Sequence, residues 1–291
     1  MKLLPMLLAG TIFVFGLSVL VYPFASQRWN ERHQSEVCAV YEEQLANTDD
    51  NTINEELQAA RAYNQALAQS VLIVSDPFAQ SDASESAAYD DLLNTTDDGI
   101  MAYLEIPKIA VNLPIYHGVE SDALKKGIGY LPETSLPVGG ESTHAVLCGH
   151  SGMSYAKLLT DLDQLKEGDM FYIHVYREKL AYMVDQIKVV LPTDTSDLQI
   201  VKGEDYVTLI TCTPYGVNSH RLLVRGTRIS EEEAKEEQTD PNEETQQDTQ
   251  PVSSWQREYL KYIAMGIALS VVLLLAVVLI AKRIKLRYTV L

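Results

Sequence analysis

Residues 211–221 read Thr-Cys-Thr-Pro-Tyr-Gly-Val-Asn-Ser-His-Arg, and this stretch is the most informative part of the chain. It lies between two strand-forming runs, Tyr206-Val-Thr-Leu-Ile and Leu222-Leu-Val-Arg. The Pro, Gly, Asn and Ser residues between the runs predict a turn. Such a hairpin brings the thiol of Cys212, at the end of one strand, close to the guanidinium of Arg221, which opens the next. The alternative is a small apolar residue at a strand end and a surface arginine.

Short strand patterns dominate residues 100–229. Strands are predicted at Met101–Ile106, Ile109–Tyr116, His144–Cys148, Met170–Val175, Leu180–Leu191, Tyr206–Thr211 and Leu222–Ile229. Short helices fit Ser121–Lys126 and Tyr155–Leu165. Many short strands with turn residues between them are typical of a closed barrel or a sandwich. We therefore predict a mainly β domain over this region.

The preceding region has a different pattern. In residues 27–70 the apolar residues recur at helical spacing, with a break at Asn51-Thr52. Thr52 and Glu55 have the spacing of a capping box for the second helix. Residues 71–99, which are rich in Ser, Asp and Ala, are expected to form a loop.

Two hydrophobic segments lie near the ends of the chain. In residues 1–26, the run Leu3–Phe24 follows Lys2 and fits either a cleaved signal peptide or a retained anchor. Because no clear small-residue cleavage site precedes Ser26, we favour the anchor. Residues 258–281 contain a run free of charge, Ile263–Ile280, and about 20 residues cross a bilayer as a helix.

Basic residues follow the second segment directly, in residues 282–291. Since cytoplasmic flanks of membrane spans are enriched in Lys and Arg, this tail is predicted to be cytoplasmic and the region between the segments extracellular. Residues 230–257 carry much of the acidic charge and few aliphatic side chains, so we expect a solvated linker. The net charge of -17 argues against a nucleic-acid partner, because phosphate backbones require clustered Lys and Arg.

The chain has three cysteines, Cys38, Cys148 and Cys212, which cannot all pair with one another. A disulfide between Cys148 and Cys212 would disable any nucleophile at Cys212. A catalytic thiol needs a proton carrier and a stabiliser of the oxyanion, and a nearby cation lowers its pKa from about 8.5. Arg221 supplies that cation.

Among the histidines, His150 is the best candidate for the proton carrier. It ends a strand in Val146-Leu-Cys-Gly-His-Ser-Gly152, where flanking glycines allow a tight exit. His33 and His174 look structural or exposed, and His220 should point away from the face that carries Arg221.

The sequence around these residues resembles that of the sortases, membrane-bound cysteine transpeptidases of Gram-positive bacteria. The resemblance spans residues 100–229 and rests on Gly149-His150-Ser-Gly, Thr211-Cys212-Thr-Pro-Tyr-Gly and Asn218-Ser-His-Arg221-Leu-Leu-Val-Arg-Gly226. Asp76-Pro77-Phe78 resembles the lid motif of class C, the pilus-building sortases. The chain departs from that class at Ser151, where the class usually has Arg.

The resemblance implies an eight-stranded sortase β-barrel. Together with the patterns described above, the expected fold is mainly β, with short helices, an N-terminal helical region and a C-terminal transmembrane helix. The resemblance also implies that Cys212 attacks the Thr–Gly carbonyl of an L-P-x-T-G-like sorting signal on a pilin subunit. Arg221 would hold the oxyanion and His150 would protonate the leaving amine, while Asp76 faces Arg221 and Phe78 covers Cys212 as a lid. Thioester formation needs no metal ion, and we expect neither a metal nor a cofactor.

Several functions remain open. The leading one transfers the pilin to a lysine amine of another pilin. A second attaches proteins to the cell-wall precursor through the amine of the peptidoglycan cross-bridge. A hydrolytic cysteine protease of papain type would instead require an Asn or Asp that orients the histidine, and a scaffold without enzymatic activity would not need Cys212.

Overall fold

The computed structural model describes residues 3–70, 74–78, 89, 91–94, 99–153 and 155–238. The chain divides into two compact units, of which one comprises residues 1–21 and 247–291. The other unit, Tyr22–Gln246, contains the barrel.

Two helices precede the barrel: α1 (Leu3–Ala46) and α2 (Asp50–Leu67). The predicted capping box at Thr52 and Glu55 is wrong, because Asp49 is the N-cap and its carboxylate accepts a hydrogen bond from the Asn51 amide. A carboxylate in this position satisfies one of the amide groups that the first turn of a helix leaves unpaired.

The strands are β1 (Ile100–Ile106), β2 (Val111–Tyr116), β3 (Ile128–Tyr130), β4 (Thr143–Cys148), β5 (Met170–Val175), β6 (Glu178–Val190), β7 (Asp205–Thr213) and β8 (His220–Ile229). They close into a barrel in the order β1-β2-β3-β4-β7-β8-β6-β5. The pairs β2–β3 and β4–β7 are parallel and the others are antiparallel. The predicted eight-stranded β-barrel is therefore confirmed.

Two local features differ from the sequence-based prediction. Strand β3 was not predicted, because it is only three residues long and contains Gly129, which is too short a segment to show an alternating pattern. A Cβ at Gly129 would lie 2.6 Å from the carbonyl oxygen of Gly118, so only glycine fits this close approach. The predicted helix Tyr155–Leu165 is wrong, because Leu158 adopts a left-handed backbone (φ 44) and only Leu162–Gln164 forms a 3-10 turn.

The other short helix, α3 (Ser121–Lys126), lies where it was predicted.

The helices α1 and α2 are joined to the barrel by buried polar contacts. The Tyr41 hydroxyl donates to the Met101 carbonyl at 3.0 Å and accepts from the Tyr176 amide at 3.0 Å. The Asn64 amide binds both the N–H and the C=O of Leu136. These bonds satisfy buried groups that would otherwise lose their hydration.

The start of the predicted acidic linker forms a helix, α4 (Glu231–Gln238). Ser230 and Glu233 cap it reciprocally: the Ser230 hydroxyl accepts from the Glu233 amide at 3.2 Å, and the Glu233 carboxylate accepts from the Ser230 amide at 2.8 Å. Ala234 is buried in a small cluster with Tyr172 and Ala181. The first part of the predicted linker is therefore helical and packs on the barrel through Ala234, while the side chains of Glu231, Glu232 and Glu233 are exposed.

The rest of the predicted linker, the predicted transmembrane helix at 258–281 and the basic tail at 282–291 lie outside the described residues. In the part of the chain that the structure describes, no helix combines the length and the apolar character that a bilayer crossing requires.

Candidate active site

The topology of the barrel brings the candidate residues into one row. Cys212 on β7 is the register partner of Arg221 on β8. On the other side of β7, Cys148 of β4 is paired with Ile210, and His150 and Cys212 both lie two residues further along these parallel strands. Because the side chains of a strand alternate between its faces, Cys212 and Arg221 share one face. The Phe78 ring contacts both His150 and Arg221, which places His150 on this face as well, with the cysteine strand in the middle.

Cys212 and Arg221 form a non-hydrogen-bonded pair of the antiparallel strands β7 and β8. The carbonyls of Ile210 and Cys212 both point towards β4, where they accept from the Gly149 amide at 3.0 Å and the Ser151 hydroxyl at 2.6 Å. Cys212 therefore exchanges no backbone hydrogen bonds with Arg221. In such antiparallel pairs the Cα atoms are about 4.5 Å apart and the side chains approach most closely. This register places the guanidinium beside the thiol.

The chain leaves β4 at His150 through a tightly packed turn. A Cβ at Gly149 would meet the side chains of Ile128 and Leu159 at 2.8 Å, so glycine is required for packing. The Thr211 hydroxyl donates to the Gly149 carbonyl at 2.7 Å, and the Leu159 amide donates to the His150 carbonyl at 3.1 Å. These bonds fix the backbone on either side of the imidazole.

The thiol of Cys212 is in its neutral form at neutral pH. The residue is 9% exposed, and burial raises its pKa above the ordinary value of a thiol. The positive charge of Arg221 opposes this rise, whereas the carboxylate of Asp76 adds to it. The negative charge of Asp76 therefore offsets the activation that Arg221 would otherwise give the thiol.

The imidazole of His150 is also neutral. Burial lowers its pKa below 6.5, and the charge of Lys125 on α3 lowers it further. A neutral imidazole on the same face of the barrel as a neutral thiol can accept the proton that the thiol must lose. In the described part of the chain, no carboxylate or side-chain amide hydrogen-bonds this ring.

Two residues of the predicted lid lie against the same row. The Asp76 carboxylate forms two hydrogen bonds with Arg221, from Nε at 2.8 Å and from Nη2 at 2.7 Å. The Phe78 ring lies 5.6 Å from the His150 ring and 5.1 Å from the Arg221 guanidinium. Phe78 also packs on the apolar cluster that contains Cys148 and Ile210, on the face that carries the row. Phe78 thus shields His150 and Arg221.

The other end of the loop at 71–99 is joined to the barrel and to α2. The His117 ring bonds the carbonyls of Leu92 and Gly99, at 2.7 and 3.2 Å, and stacks on Tyr89. The Leu93 amide donates to Glu56 at 3.1 Å. His117 therefore has a structural role that its sequence context did not indicate.

The remaining histidines lie away from the row. His144 is buried and binds the Gln199 carbonyl and the Thr208 hydroxyl. His174 stacks on Tyr103 and bonds Glu105 at 2.7 Å. His220 is next to Arg221 in β8 and therefore on the opposite face, as expected, and His33 lies on α1.

All three cysteines are free thiols. Cys148 and Cys212 lie diagonally across β4 and β7, a separation of about 8 Å between Cα atoms from standard strand geometry. Disulfides require Cα atoms within about 7 Å, so this arrangement disfavours the Cys148–Cys212 bridge.

No group of His, Cys, Asp and Glu within the described residues has the arrangement of a metal site.

Sequence reasoning missed three contributors to this site. Lys125, which lowers the pKa of His150, lies in a helix whose position relative to β4 is not visible in the sequence. Thr211 and Ser151 donate hydrogen bonds between the histidine and cysteine segments. Their side-chain bonds depend on the parallel pairing of β4 with β7, which no local pattern shows.

Comparison with known proteins supports the resemblance to the sortases. A model of the sortase domain matches residues 104–229. Sortase D of Bacillus subtilis is 29% identical over 44% of this chain and 63% of its own length. Sortase A of Staphylococcus aureus is 30% identical over 45% of this chain and 65% of its own length. The chain thus spans somewhat less than two thirds of these curated relatives.

Solved structures match over a larger part of the chain. Sortase C-1 of Actinomyces oris is 48% identical, with a TM-score of 0.59, over 62% of this chain and 99% of that structure. Sortase C of Streptococcus pneumoniae is 43% identical, with a TM-score of 0.62, over 67% of this chain and 97% of that structure. With the barrel and the His150–Cys212–Arg221 row, these similarities show that the chain belongs to the sortase family of cysteine transpeptidases, in its class C.

Proposed function

We propose that this protein is a pilin-polymerising transpeptidase. Its substrate is a pilin subunit with an L-P-x-T-G-like sorting signal, which it cleaves between Thr and Gly. The acceptor is a lysine amine of a second pilin. The observation that carries the proposal is the row of imidazole, thiol and guanidinium on adjacent strands, with a carboxylate of the lid bound to the guanidinium.

The first half of the reaction forms a thioester. The Cys212 thiol gives its proton to the neutral His150 imidazole, and the thiolate attacks the Thr carbonyl carbon. Arg221 then binds the developing oxyanion with its planar N–H donors, in a site largely shielded from water. When the C–N bond breaks, the imidazolium returns its proton to the leaving amine of Gly.

The second half of the reaction transfers the acyl group. A lysine amine attacks the thioester carbonyl, loses a proton to His150 and forms an isopeptide bond, and Cys212 leaves as a thiolate. The thiolate recovers the proton from the imidazolium, which restores the starting state. An amine competes with water only if it is positioned and water is restricted. The burial of Cys212 and the half-buried position of His150 support this requirement.

The choice of a pilin as substrate rests on the similar class C structures. The Streptococcus pneumoniae sortase C is described in terms of its pilin substrate specificity. The sortase C of Group B Streptococcus, 42% identical to this chain, is described as pilus-related. Asp76 and Phe78 support a gated enzyme, because their contacts occupy Arg221 and shield His150.

The proposed enzyme acts at the cell surface. The apolar run at 263–280 followed by basic residues supports a membrane-anchored chain with its C-terminus in the cytoplasm and its catalytic domain outside. Protease treatment of intact cells tests this orientation. A catalytic domain protected from an added protease would contradict it.

The test of the function is a reaction of the full-length chain with candidate pilins that carry a sorting signal. Mass spectrometry should detect a thioacyl adduct on Cys212 and a cross-link between the Thr of the signal and a Lys of a second pilin. Cys212→Ala is the control and should give neither product. A product on a cell-wall cross-bridge amine favours the anchoring alternative, hydrolysis alone favours a protease, and full function of Cys212→Ala indicates a scaffold.

A further inference from the structure

Ser151 occupies a position that continues the pairing of β4 with β7. The last backbone hydrogen bond between these strands runs from the Gly149 amide to the Ile210 carbonyl. The next bond that the β4 side of a parallel ladder donates would run from the Ser151 amide to the Cys212 carbonyl. Instead, the Ser151 hydroxyl donates to this carbonyl at 2.6 Å. A side chain thus replaces the ladder bond beside Cys212.

The replacement is needed because the chain turns away from β7 at this point. The His150 carbonyl accepts from the Leu159 amide, and the Gly152 amide donates to the Thr160 hydroxyl at 3.2 Å. Both bonds hold the backbone after β4 to the following loop. Without the Ser151 hydroxyl, the Cys212 carbonyl would lack its partner on this side of β7.

We propose that Ser151 is a positioning residue for the transpeptidation reaction. Its hydroxyl fixes the peptide plane of Cys212 relative to the residue that follows His150. Because Ser151 and His150 are adjacent, this bond holds the segment that carries the imidazole against the residue that carries the thiol. The inference rests on the proposed function, since it assumes that a proton moves between these two groups.

The hydrogen bond from Ser151 to Cys212 is not needed to hold the barrel together. β7 remains paired with β8 from Tyr206 to Thr213, and the Thr211 hydroxyl remains bound to the Gly149 carbonyl. The Tyr215 ring also lies close to Gly152, at 3.3 Å from the position that a Cβ would occupy there. Loss of the Ser151 hydroxyl should therefore loosen the alignment of Cys212 and His150 while the barrel stays intact.

The experiment compares Ser151→Ala and Ser151→Thr in the full-length chain. Misplacement of reacting groups by a fraction of an ångström lowers turnover, so Ser151→Ala should reduce kcat about tenfold with little change in KM. Ser151→Thr keeps the hydroxyl and should restore kcat to within about threefold of the original value. The assay follows cross-linking of a peptide with a sorting signal to a lysine-containing peptide.

A second readout needs no substrate. The pH profile of iodoacetamide labelling at Cys212, followed by peptide mass spectrometry, reports the coupling of the thiol to its proton acceptor. We expect Ser151→Ala to shift this profile and Ser151→Thr to retain it. Ser142→Ala is the matched control, because its hydroxyl also binds a backbone group, the Gly203 amide, at the opposite end of β4.

The outcomes separate this inference from the proposed function. If Ser151→Ala retains both kcat and the labelling profile while Cys212→Ala is inactive, the positioning role is wrong and the function stands. Unfolding of Ser151→Ala, seen as a lost thermal transition that Ser151→Thr regains, would make the residue structural and overturn the inference. Activity that persists in Cys212→Ala would refute the function itself.

Discussion

Asp76 binds Arg221 through both carboxylate oxygens, at 2.8 Å from Nε and 2.7 Å from Nη2. The remaining nitrogen of the guanidinium, Nη1, donates to the carbonyls of Asn218 and His220, both at 3.1 Å. All three nitrogens of Arg221 are thus engaged by the protein. These four hydrogen bonds use four of the five N–H groups of the guanidinium. A substrate carbonyl or oxyanion that binds through two N–H groups must therefore displace one of these partners, and Asp76 is the partner on a separate segment of the chain.

Replacement of Asp76 by alanine should increase the reactivity of Cys212. The carboxylate raises the pKa of this thiol, and its removal leaves the charge of Arg221 uncompensated. The pKa should therefore fall, and each unit of decrease multiplies the thiolate fraction about tenfold at a pH below the pKa. We expect a three- to tenfold faster alkylation of Cys212 at about pH 8, measured with iodoacetamide by peptide mass spectrometry.

Asp185→Ala is the matched control for Asp76→Ala. Asp185 forms the same two-bond contact with Arg225, at 3.0 and 2.8 Å, on the strand that carries Arg221. This variant should leave the alkylation rate of Cys212 unchanged. Equal rates in Asp76→Ala and the original chain would contradict the role of Asp76 in restraining the thiol.

Replacement of Phe78 by alanine should expose the imidazole of His150. The ring of Phe78 lies 5.6 Å from that of His150, and burial is the main cause of the lowered pKa of this histidine. Loss of the aromatic ring admits water, so the pKa should rise towards 6.5. An NMR titration of the imidazole proton signals measures this change.

Phe78→Leu serves as the control for this variant, because it retains an apolar side chain over His150. Its effect on the pKa should be smaller than that of Phe78→Ala. A titration of His150 that is the same in all three proteins would show that Phe78 does not shield the site.

The sequence could predict the residues of the site but not how they are held. Cys212 and Arg221 belong to one hairpin, so their proximity follows from local strand and turn signals. His150 reaches Cys212 only through the parallel pairing of β4 with β7, strands that are far apart in the chain. The family resemblance supplied that contact, because no local periodicity encodes parallel pairing.

The failures elsewhere have equally specific causes. The leucines between Tyr155 and Leu165 recur at helical spacing, yet Leu158 is left-handed and the segment is bound to the backbone of His150. The helix α4 was missed because its acidic composition resembles that of a linker. Its capping pair, Ser230 and Glu233, was present in the sequence, but the burial of Ala234 against the barrel was not.

Replacement of Arg221 by lysine should separate a transpeptidase from a plain cysteine protease. Lysine keeps the positive charge but lacks the planar set of donors that binds a carboxylate or an oxyanion through two bonds. Loss of one oxyanion donor typically lowers kcat by about 100-fold or more, and we expect a loss of this size. The measurement is cross-linking of a sorting-signal peptide to a lysine-containing peptide.

Arg225→Lys is the control for this substitution, since it changes the other paired arginine of β8 and should retain activity. A protease in which arginine is not required would tolerate Arg221→Lys. Full transpeptidation by Arg221→Lys would therefore remove Arg221 from the proposed mechanism, whatever the effect of Cys212→Ala.

Stability should fall in acid because of His144. Its Nδ1 donates to the Gln199 carbonyl at 2.9 Å, and the Thr208 hydroxyl donates to Nε2 at 2.7 Å, so the neutral ring is held in one tautomer. Burial lowers the pKa of His144 from 6.5 to about 4. The unfolded chain therefore binds a proton between these values while the folded chain does not. This contribution to stability is present above pH 6.5 and is lost as the pH falls towards 4.

Protonation of His144 should lower the free energy of unfolding by about 2 kcal/mol between neutral pH and pH 5. Urea unfolding at both pH values measures it. His144→Gln lowers the stability at neutral pH, since it disturbs two buried hydrogen bonds, but it should reduce the difference between the two pH values by about this amount. His33→Gln changes an exposed histidine of α1 and should retain the full difference. If both variants show the same pH dependence as the original chain, protonation of His144 does not limit the acid stability of the barrel.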